Sequence, residues 1–335
     1  MILAAGKGER MRPLTDVIPK ALVNVAGKTL LEWAIERYSQ SGIEDIVIAV
    51  GWKGDMIEDF LSESNLNTKV IHVPDYETGP LQTLLTTIHT FDGDFLLSPV
   101  DALLEPSTVL GIQTHHWDLG DSESMTLAVA LDTASGTPVG FSDDGLVTNI
   151  GDIESFSQNI ARSAMMLVAN TRIRSICKSA LENGKERVAQ VLDLMIKEGA
   201  PVRIYKVTQP WFDIDTLSDI LATNQHLLHR GGLGETNSVF IPSGDSIEVG
   251  DSLVLRSNIT LDKGTCLHGP VLITSNSTIG RDCKIGPNVT VASNSTLGDG
   301  CEVTDAVIFG ESKVSSQSRV HRSVIFRSVG YSLEV

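Results

Sequence analysis

The chain has 335 residues, 41% hydrophobic and 20% charged, an ordinary globular composition in a length that exceeds one compact core, so two domains are expected. Twenty-six basic residues against 42 acidic ones leave a formal charge of −16, which argues against nucleic-acid binding or a broad basic face on an anionic membrane; any phosphate must be held locally. No apolar run reaches the roughly 18 residues of a membrane span, and no basic-then-apolar leader precedes the first glycines, so a cytoplasmic protein is expected.

From the start, Met1-Ile2-Leu3 reads as a strand that empties into the glycine-rich turn Gly6-Lys7-Gly8. Leu30, Leu31, Ala34, Ile35 and Tyr38 recur at helical spacing, and Ile46 to Val50 reads as a buried strand. The alternation continues with a helix through Met56 to Leu61, a strand at Val70 to Val73, a helix through Leu81 to Ile88 and a strand from Phe95 toward Asp101. Further elements are expected at Thr126 to Leu131, Met165 to Val168, Val188 to Ile196, Val202 to Val207 and Leu217 to Leu228. Such alternation predicts an α/β fold, a Rossmann-like, mostly parallel sheet with helices on both faces, over residues 1–230. His115 and His116 are read as surface histidines, since adjacent residues diverge on a helix and no third ligand is in register.

Gly231-Gly232-Leu233-Gly234 ends the alternation, because three glycines in four positions resist helix formation. Beyond it an aliphatic residue recurs every six positions, at Ile247, Leu253 and Ile259 and again at Ile279, Ile285, Val291, Leu297 and Val303, with Gly, Asn, Asp and Ser between. A six-residue aliphatic period predicts a hexapeptide β-helix over 235–335, left-handed, with three hexads to a coil. The break in phase between Val271 and Ile279 predicts a two-residue insertion protruding as a loop. Cys283 and Cys301 fall one coil apart, and the four cysteines, lacking C-x-x-C spacing, are read as buried free thiols. The flat faces and open ends of such a solenoid predict a homo-oligomer formed through it.

The richest segment for chemistry runs from Leu3-Ala4-Ala5-Gly6-Lys7-Gly8-Glu9-Arg10-Met11-Arg12-Pro13-Leu14-Thr15 to Pro19-Lys20-Ala21-Leu22. A glycine turn after a strand lets backbone N–H groups approach phosphate oxygens with no Cβ in the way, and Arg10, Arg12 and Lys20 stand behind it; a plain tight turn reads the same way. It is neither a P-loop nor a dinucleotide fingerprint, since no Gly-Lys-Ser/Thr and no third glycine follow.

Taken whole, Leu-x-x-Gly-x-Gly-x-Arg-Met-x-Pro-Leu-Thr with the downstream Pro-Lys-x-Leu resembles the signature of the sugar-1-phosphate nucleotidyltransferases, some of which carry a hexapeptide tail. The resemblance implies transfer of a nucleoside monophosphate from a nucleoside triphosphate to a sugar 1-phosphate, with Mg2+ as cofactor. It places Leu3, Ala4, Ala5, Gly6, Lys7 and Gly8 on the nucleotide, Arg10 on the β- and γ-phosphates, and Lys20 against charge growing on the α-phosphate. Asp101, at the end of a strand, and Asp213, in Trp211-Phe212-Asp213-Ile214-Asp215-Thr216, match the family's metal-binding aspartates, and Gly79 matches the step that receives the base. Ala4-Ala5-Gly6 is closer to uridylyl- and cytidylyl-transferring relatives than to Ala-Gly-Gly versions.

The chain departs from the family at Pro80, at Val100 in place of a glycine, which puts a side chain beside the phosphates, and at Ile150 to Glu154, where a Glu-Lys-Pro segment is expected. Arg162 or Lys206 are candidates for the missing lysine. These departures keep a second reading open, a non-catalytic nucleotide or sugar-phosphate sensor assembled through its β-helix.

Overall fold

The computed structural model describes the chain apart from residues 65, 67, 121–123, 132, 134–135, 152–158, 231–238, 241–247, 250–251, 328 and 333–335. The glycine break at 231–234, Ile247 and most of the segment aligned with Glu-Lys-Pro therefore lie outside the described residues. Two compact units form: Met1–Leu22 with Leu30–Asp213, and Val23–Thr29 with Ile214–Val335.

In the first unit, β1 (Ile2–Ala4), β2 (Ile46–Val50), β3 (Thr68–His72), β4 (Phe95–Pro99), β5 (Met125–Ala130), β6 (Pro138–Phe141), β7 (Val147–Ile150), β8 (Asn159–Ala169) and β9 (Val202–Lys206) form one sheet in the order β7-β6-β8-β4-β1-β2-β3, with β5 pairing β8 and β9. The strands around β1 are parallel, with Ile2 opposite Ile48 on one side and Ser98 on the other. β2 is buried along its whole length, which is why it reads as an unbroken apolar run. The long β8 runs antiparallel to β4, β5 and β6 and joins this parallel half to the rest. Its register shifts between Ser163 and Leu167, with Met165 at φ 63°, a bulge that bends the strand.

The helices α1 (Leu30–Gln40), α2 (Gly54–Glu63), α3 (Pro80–Thr87), α4 (Pro106–Asp118), α5 (Ile173–Glu182) and α6 (Val188–Lys197) connect these strands. Leu84, Ile88, Leu97, Leu127, Leu167 and Val191 belong to one apolar core between α3, α6 and the sheet. His116 corrects the surface reading: it is 4% exposed and meets Thr126 Oγ1 at 3.0 Å and Asp94 Oδ2 at 3.3 Å. α4 buries Thr108, Val109, Ile112 and His116, so the helical period takes His116 inside while His115 is half-buried against Tyr205.

Chain order decides where this sheet can bind a ligand. β1, β2 and β3 progress toward one edge, and the chain then crosses back so that β4 lies on the other side of β1. The carboxyl ends of β1 and β4 thus flank a topological switch point, where the connecting loops diverge and leave a crevice.

In the second unit, α7 (Leu217–Arg230) and a small hairpin, Asn24–Val25 with Lys28–Thr29, accompany a stack of parallel coils. Short strands repeat on three faces, exemplified by Ile259–Leu261, Cys266–Leu267 and Val271–Ile273, each paired in parallel with its counterpart in the next coil. Leu267, Ile273, Ile279, Ile285, Leu297 and Val303 are each 0% exposed and fill the interior. Asn258, Asn276 and Asn294 take φ near 60° at successive corners, a conformation that asparagine tolerates, and the Asn258 Nδ2 group donates to Asn276 Oδ1 at 3.1 Å.

The predicted insertion between Val271 and Ile279 is absent. Leu255, Leu261, Leu267, Ile273 and Ile279 keep an unbroken six-residue phase, and Val271 pairs with Val289 eighteen residues on. The misreading has a physical source: each three-residue strand points both end residues inward, as Ile259 and Leu261 do, so two interleaved periods are present. The coil shortens by one residue later, where Val289 pairs with Ala306, seventeen residues on. At the last coil Val329–Ser332 folds back antiparallel on Arg319–Phe326.

Candidate active site

The glycine loop leaves β1 at the switch point. Met11 and Leu14, both 0% exposed, anchor its far side in the interior, while Gly6 and Arg10 are exposed. Gly8 has φ +63°, and a Cβ there would come within 3.0 Å of Thr15 Cγ2 and 3.1 Å of Lys20 Cβ, so glycine is required by both backbone and space. The Thr15 hydroxyl donates to the Gly8 carbonyl at 2.8 Å and closes the loop. Trp52, just beyond β2, braces it from the side: its backbone N–H donates to the Ala5 carbonyl at 2.9 Å and its indole N–H to the Thr15 carbonyl at 3.1 Å.

Across the crevice, Lys20 and Asp101 form an ion pair, Lys20 being 8% exposed. Val100 N–H donates to the Leu3 carbonyl at 3.0 Å, which fixes the end of β4 beside β1. Contrary to the expectation of a side chain standing at the phosphates, Val100 is 6% exposed and is taken up by the interior. After Asp101, Ala102–Leu103 pairs antiparallel with Phe212–Asp213, which sets Asp213 opposite Ala102. This two-residue ribbon brings carboxylate oxygens of Asp101 and Asp213 within 4.8 Å of one another. Glu105, next along, meets Arg37 of α1 at 3.3 Å, and Arg37 Nη1 also donates to the Leu104 carbonyl at 2.8 Å, both side chains being buried. That buried ion pair ties the segment carrying Asp101 to the helical layer.

Two carboxylates at this separation suit a hard divalent cation, which takes oxygen ligands and keeps several waters. Asp101 Oδ1 is buried and accepts no hydrogen bond among the described residues, so one of its oxygens is available to a cation while the other faces Lys20.

Lys7 Nζ lies 2.5 Å from Glu77 Oε1 and 5.7 Å from the centre of the Trp52 ring, and the hydrogen bond that Lys7 donates to the Glu77 carboxylate raises the lysine pKa. Gly79 has φ +121°, and a Cβ there would fall 2.9 Å from the Glu186 carbonyl oxygen. Pro80 occupies the first turn of α3, where a missing N–H costs nothing, so this departure has a structural reason. Arg162 Nη1 donates to the Gly136 carbonyl at 3.4 Å and Lys206 lies over Phe141 at 5.6 Å.

The structure therefore assembles Gly8, Lys20, Asp101 and Asp213 in one crevice, with Leu3, Ala4 and Ala5 as the strand and strand end that lead into it. Thr15, Trp52 and Glu77 were not singled out from the sequence. Trp52 carried a usable signal, since Gly51-Trp52-Lys53 follows a buried parallel strand at the end where ligands bind.

Among the described residues no helix is long and apolar enough to cross a membrane. Residues 267–330 match the GMPPB C-terminal domain. An N-acetylmuramate alpha-1-phosphate uridylyltransferase of Neisseria meningitidis serogroup B is 49% identical over 84 residues, covering 25% of this chain and 36% of that protein. A UTP–glucose-1-phosphate uridylyltransferase, AglF of Haloferax volcanii, is 25% identical over 231 residues, 68% of this chain and 95% of the relative. A crystal structure of UDP-glucose pyrophosphorylase complexed with UDP-glucose superposes with a TM-score of 0.58 at 17% identity, over 69% of this chain and 100% of that one, a likeness of fold. The chain spans between about a third and about half the length of the first curated relatives it matches. Residues 1–182, more than half the chain and the part that carries the glycine loop and Asp101, match the MobA-like NTP transferase domain, and the chain belongs to that family.

Proposed function

We propose that this chain transfers a nucleoside monophosphate, uridylyl in the first instance, from a nucleoside triphosphate to a sugar 1-phosphate and releases pyrophosphate. The observation that carries the reading is the meeting of the Gly8 turn, Lys20, Asp101 and Asp213 at the switch point of a parallel sheet. The uridylyl and sugar-phosphate assignments draw on the names of the Neisseria and Haloferax relatives. Residues 1–230 are proposed as the catalytic domain and 235–335 as a β-helix through which copies assemble.

In this reading, backbone N–H groups of Gly6 to Gly8 cradle the triphosphate, and Arg10, exposed beside them, reaches the β- and γ-phosphates. Asp101 and Asp213 would hold magnesium, which when bound would supply positive charge against the phosphate oxygens. Lys20 leaves Asp101 to face the α-phosphate as charge grows there. The sugar-phosphate oxygen attacks the α-phosphorus in line, so the protein positions and stabilises and supplies no nucleophile. Gly79, at the start of α3, receives the base through its backbone.

The test is pyrophosphate release with magnesium across UTP, CTP, GTP, ATP and dTTP, each with glucose 1-phosphate, N-acetylglucosamine 1-phosphate and N-acetylmuramate 1-phosphate. Release with UTP and one of these sugars is expected. Nucleotide binding with no release from any pair would instead establish the non-catalytic sensor.

A further inference from the structure

Lys7 stands between the two loop glycines, and its ammonium is already engaged by a carboxylate from another element, Glu77 of the Tyr76–Thr78 turn, at 2.5 Å. The backbone that presents Glu77 is held on both sides. Tyr76 packs so tightly on Gly51 that a Cβ there would overlap its ring, and a Cβ at Gly79 would fall 2.9 Å from the Glu186 carbonyl oxygen. Thr78 and Gly79 N–H groups donate to the Asp75 and Tyr76 carbonyls, each at 3.1 Å, which closes the turn on itself. Beneath the pair, Trp52 bonds through main chain and indole to the glycine loop. Glu77 can therefore withdraw from Lys7 only by rotating its side chain, which is 65% exposed.

We infer that Glu77 is an anionic placeholder for nucleotide phosphate: its carboxylate holds Lys7 in the free protein and yields the lysine to the incoming triphosphate, so that Glu77 sets triphosphate affinity and speeds pyrophosphate release. This rests on the reading that the glycine loop binds phosphate. A polyphosphate on the loop and a carboxylate on Lys7 bring like charges together, so binding breaks the Lys7–Glu77 pair. After the chemical step the same carboxylate competes with pyrophosphate for Lys7 and shortens its stay. No covalent change takes place at either residue.

Calorimetric titration of the full chain with inorganic tripolyphosphate and magnesium tests the inference, because this probe needs no recognition of a base. Glu77→Gln is expected to tighten tripolyphosphate by about 1.5-fold to fivefold, the range that an exposed ion pair commands. The gain should shrink in a Lys7→Met background, and in turnover Glu77→Gln should lower KM for the nucleotide without raising kcat. Equal or weaker binding by Glu77→Gln overturns the inference and leaves the turn a scaffold. If the wild type binds tripolyphosphate and Asp101→Asn loses its magnesium dependence while Glu77→Gln changes nothing, only the role of Glu77 falls. If the wild type ignores tripolyphosphate with magnesium, the nucleotidyltransferase reading falls, and this inference with it.

Discussion

Lys20 and Asp101 lie 81 positions apart in sequence, yet each supplies the charge that lets the other be buried. Asp101 was legible because it stands at the end of an apolar strand, where a parallel sheet opens to ligands, and Lys20 because it follows the loop in a Pro-Lys-x-Leu segment. Asp101→Asn keeps the side-chain shape and removes its charge; steady-state pyrophosphate release should fall about 100-fold or more, with the circular dichroism spectrum unchanged. The Lys7–Glu77 pair was not legible, since nothing in the sequence says that the turn before α3 faces the glycine loop. The cysteines give a pH prediction. Burial pushes Cys177 up to about 12 and Cys283 to about 11. An unfolded thiol titrates near 8.5, so above that pH the native state holds protons that the unfolded chain has lost. Their contribution to stability is intact below about pH 8.5 and declines as pH rises through the folded values of about 11 and about 12. The urea midpoint should drop between pH 8 and pH 10, and Cys177→Ala should flatten the drop; an unaltered slope would show that these thiols are not the source.

At the scale of elements, the ribbon of Ala102–Leu103 with Phe212–Asp213 does most to make the site, and sequence patterns hardly reveal it. Two-residue strands carry no period, and their pairing is a long-range event fixed by what lies around them. Arg37 and Glu105 secure one side of that ribbon through a buried pair. Arg37→Ala leaves Glu105 buried without that cation, which costs about 3–5 kcal/mol. Chemical denaturation should register this loss, and turnover should fall as the segment after Asp101 loosens; a midpoint within error of the wild type would remove the ribbon's anchor from the account. The longer elements were legible for the opposite reason: α1 and β2 repeat their apolar residues over several periods. In the coils the period was read correctly, but two interleaved phases were taken for one phase broken by an insertion, because both ends of a three-residue strand face inward.

For the whole molecule, composition and charge argue against broad electrostatic partners, and the change from α/β alternation to a hexad period marks two architectures. What they left open was the place of the Asn24–Thr29 hairpin. Although it follows the glycine loop in sequence, Ala26 N–H donates to Asn224 Oδ1 at 3.1 Å, and Gly27 sits where a Cβ would touch Leu272 at 2.8 Å, both within the second unit. Oligomerisation through the coils predicts a multiple of the chain mass by light scattering, and a single-chain mass would contradict it. The central claim is that Asp101 and Asp213 bind one divalent ion beside the glycine loop. Manganese reports on it directly, since it takes the same oxygen ligands and scatters anomalously. In a crystal soaked with manganese and UTP, the account predicts one anomalous peak about 2.1 Å from a carboxylate oxygen of each aspartate and against the nucleotide phosphates. A peak elsewhere, or nucleotide density with neither aspartate turned toward it, would contradict the account.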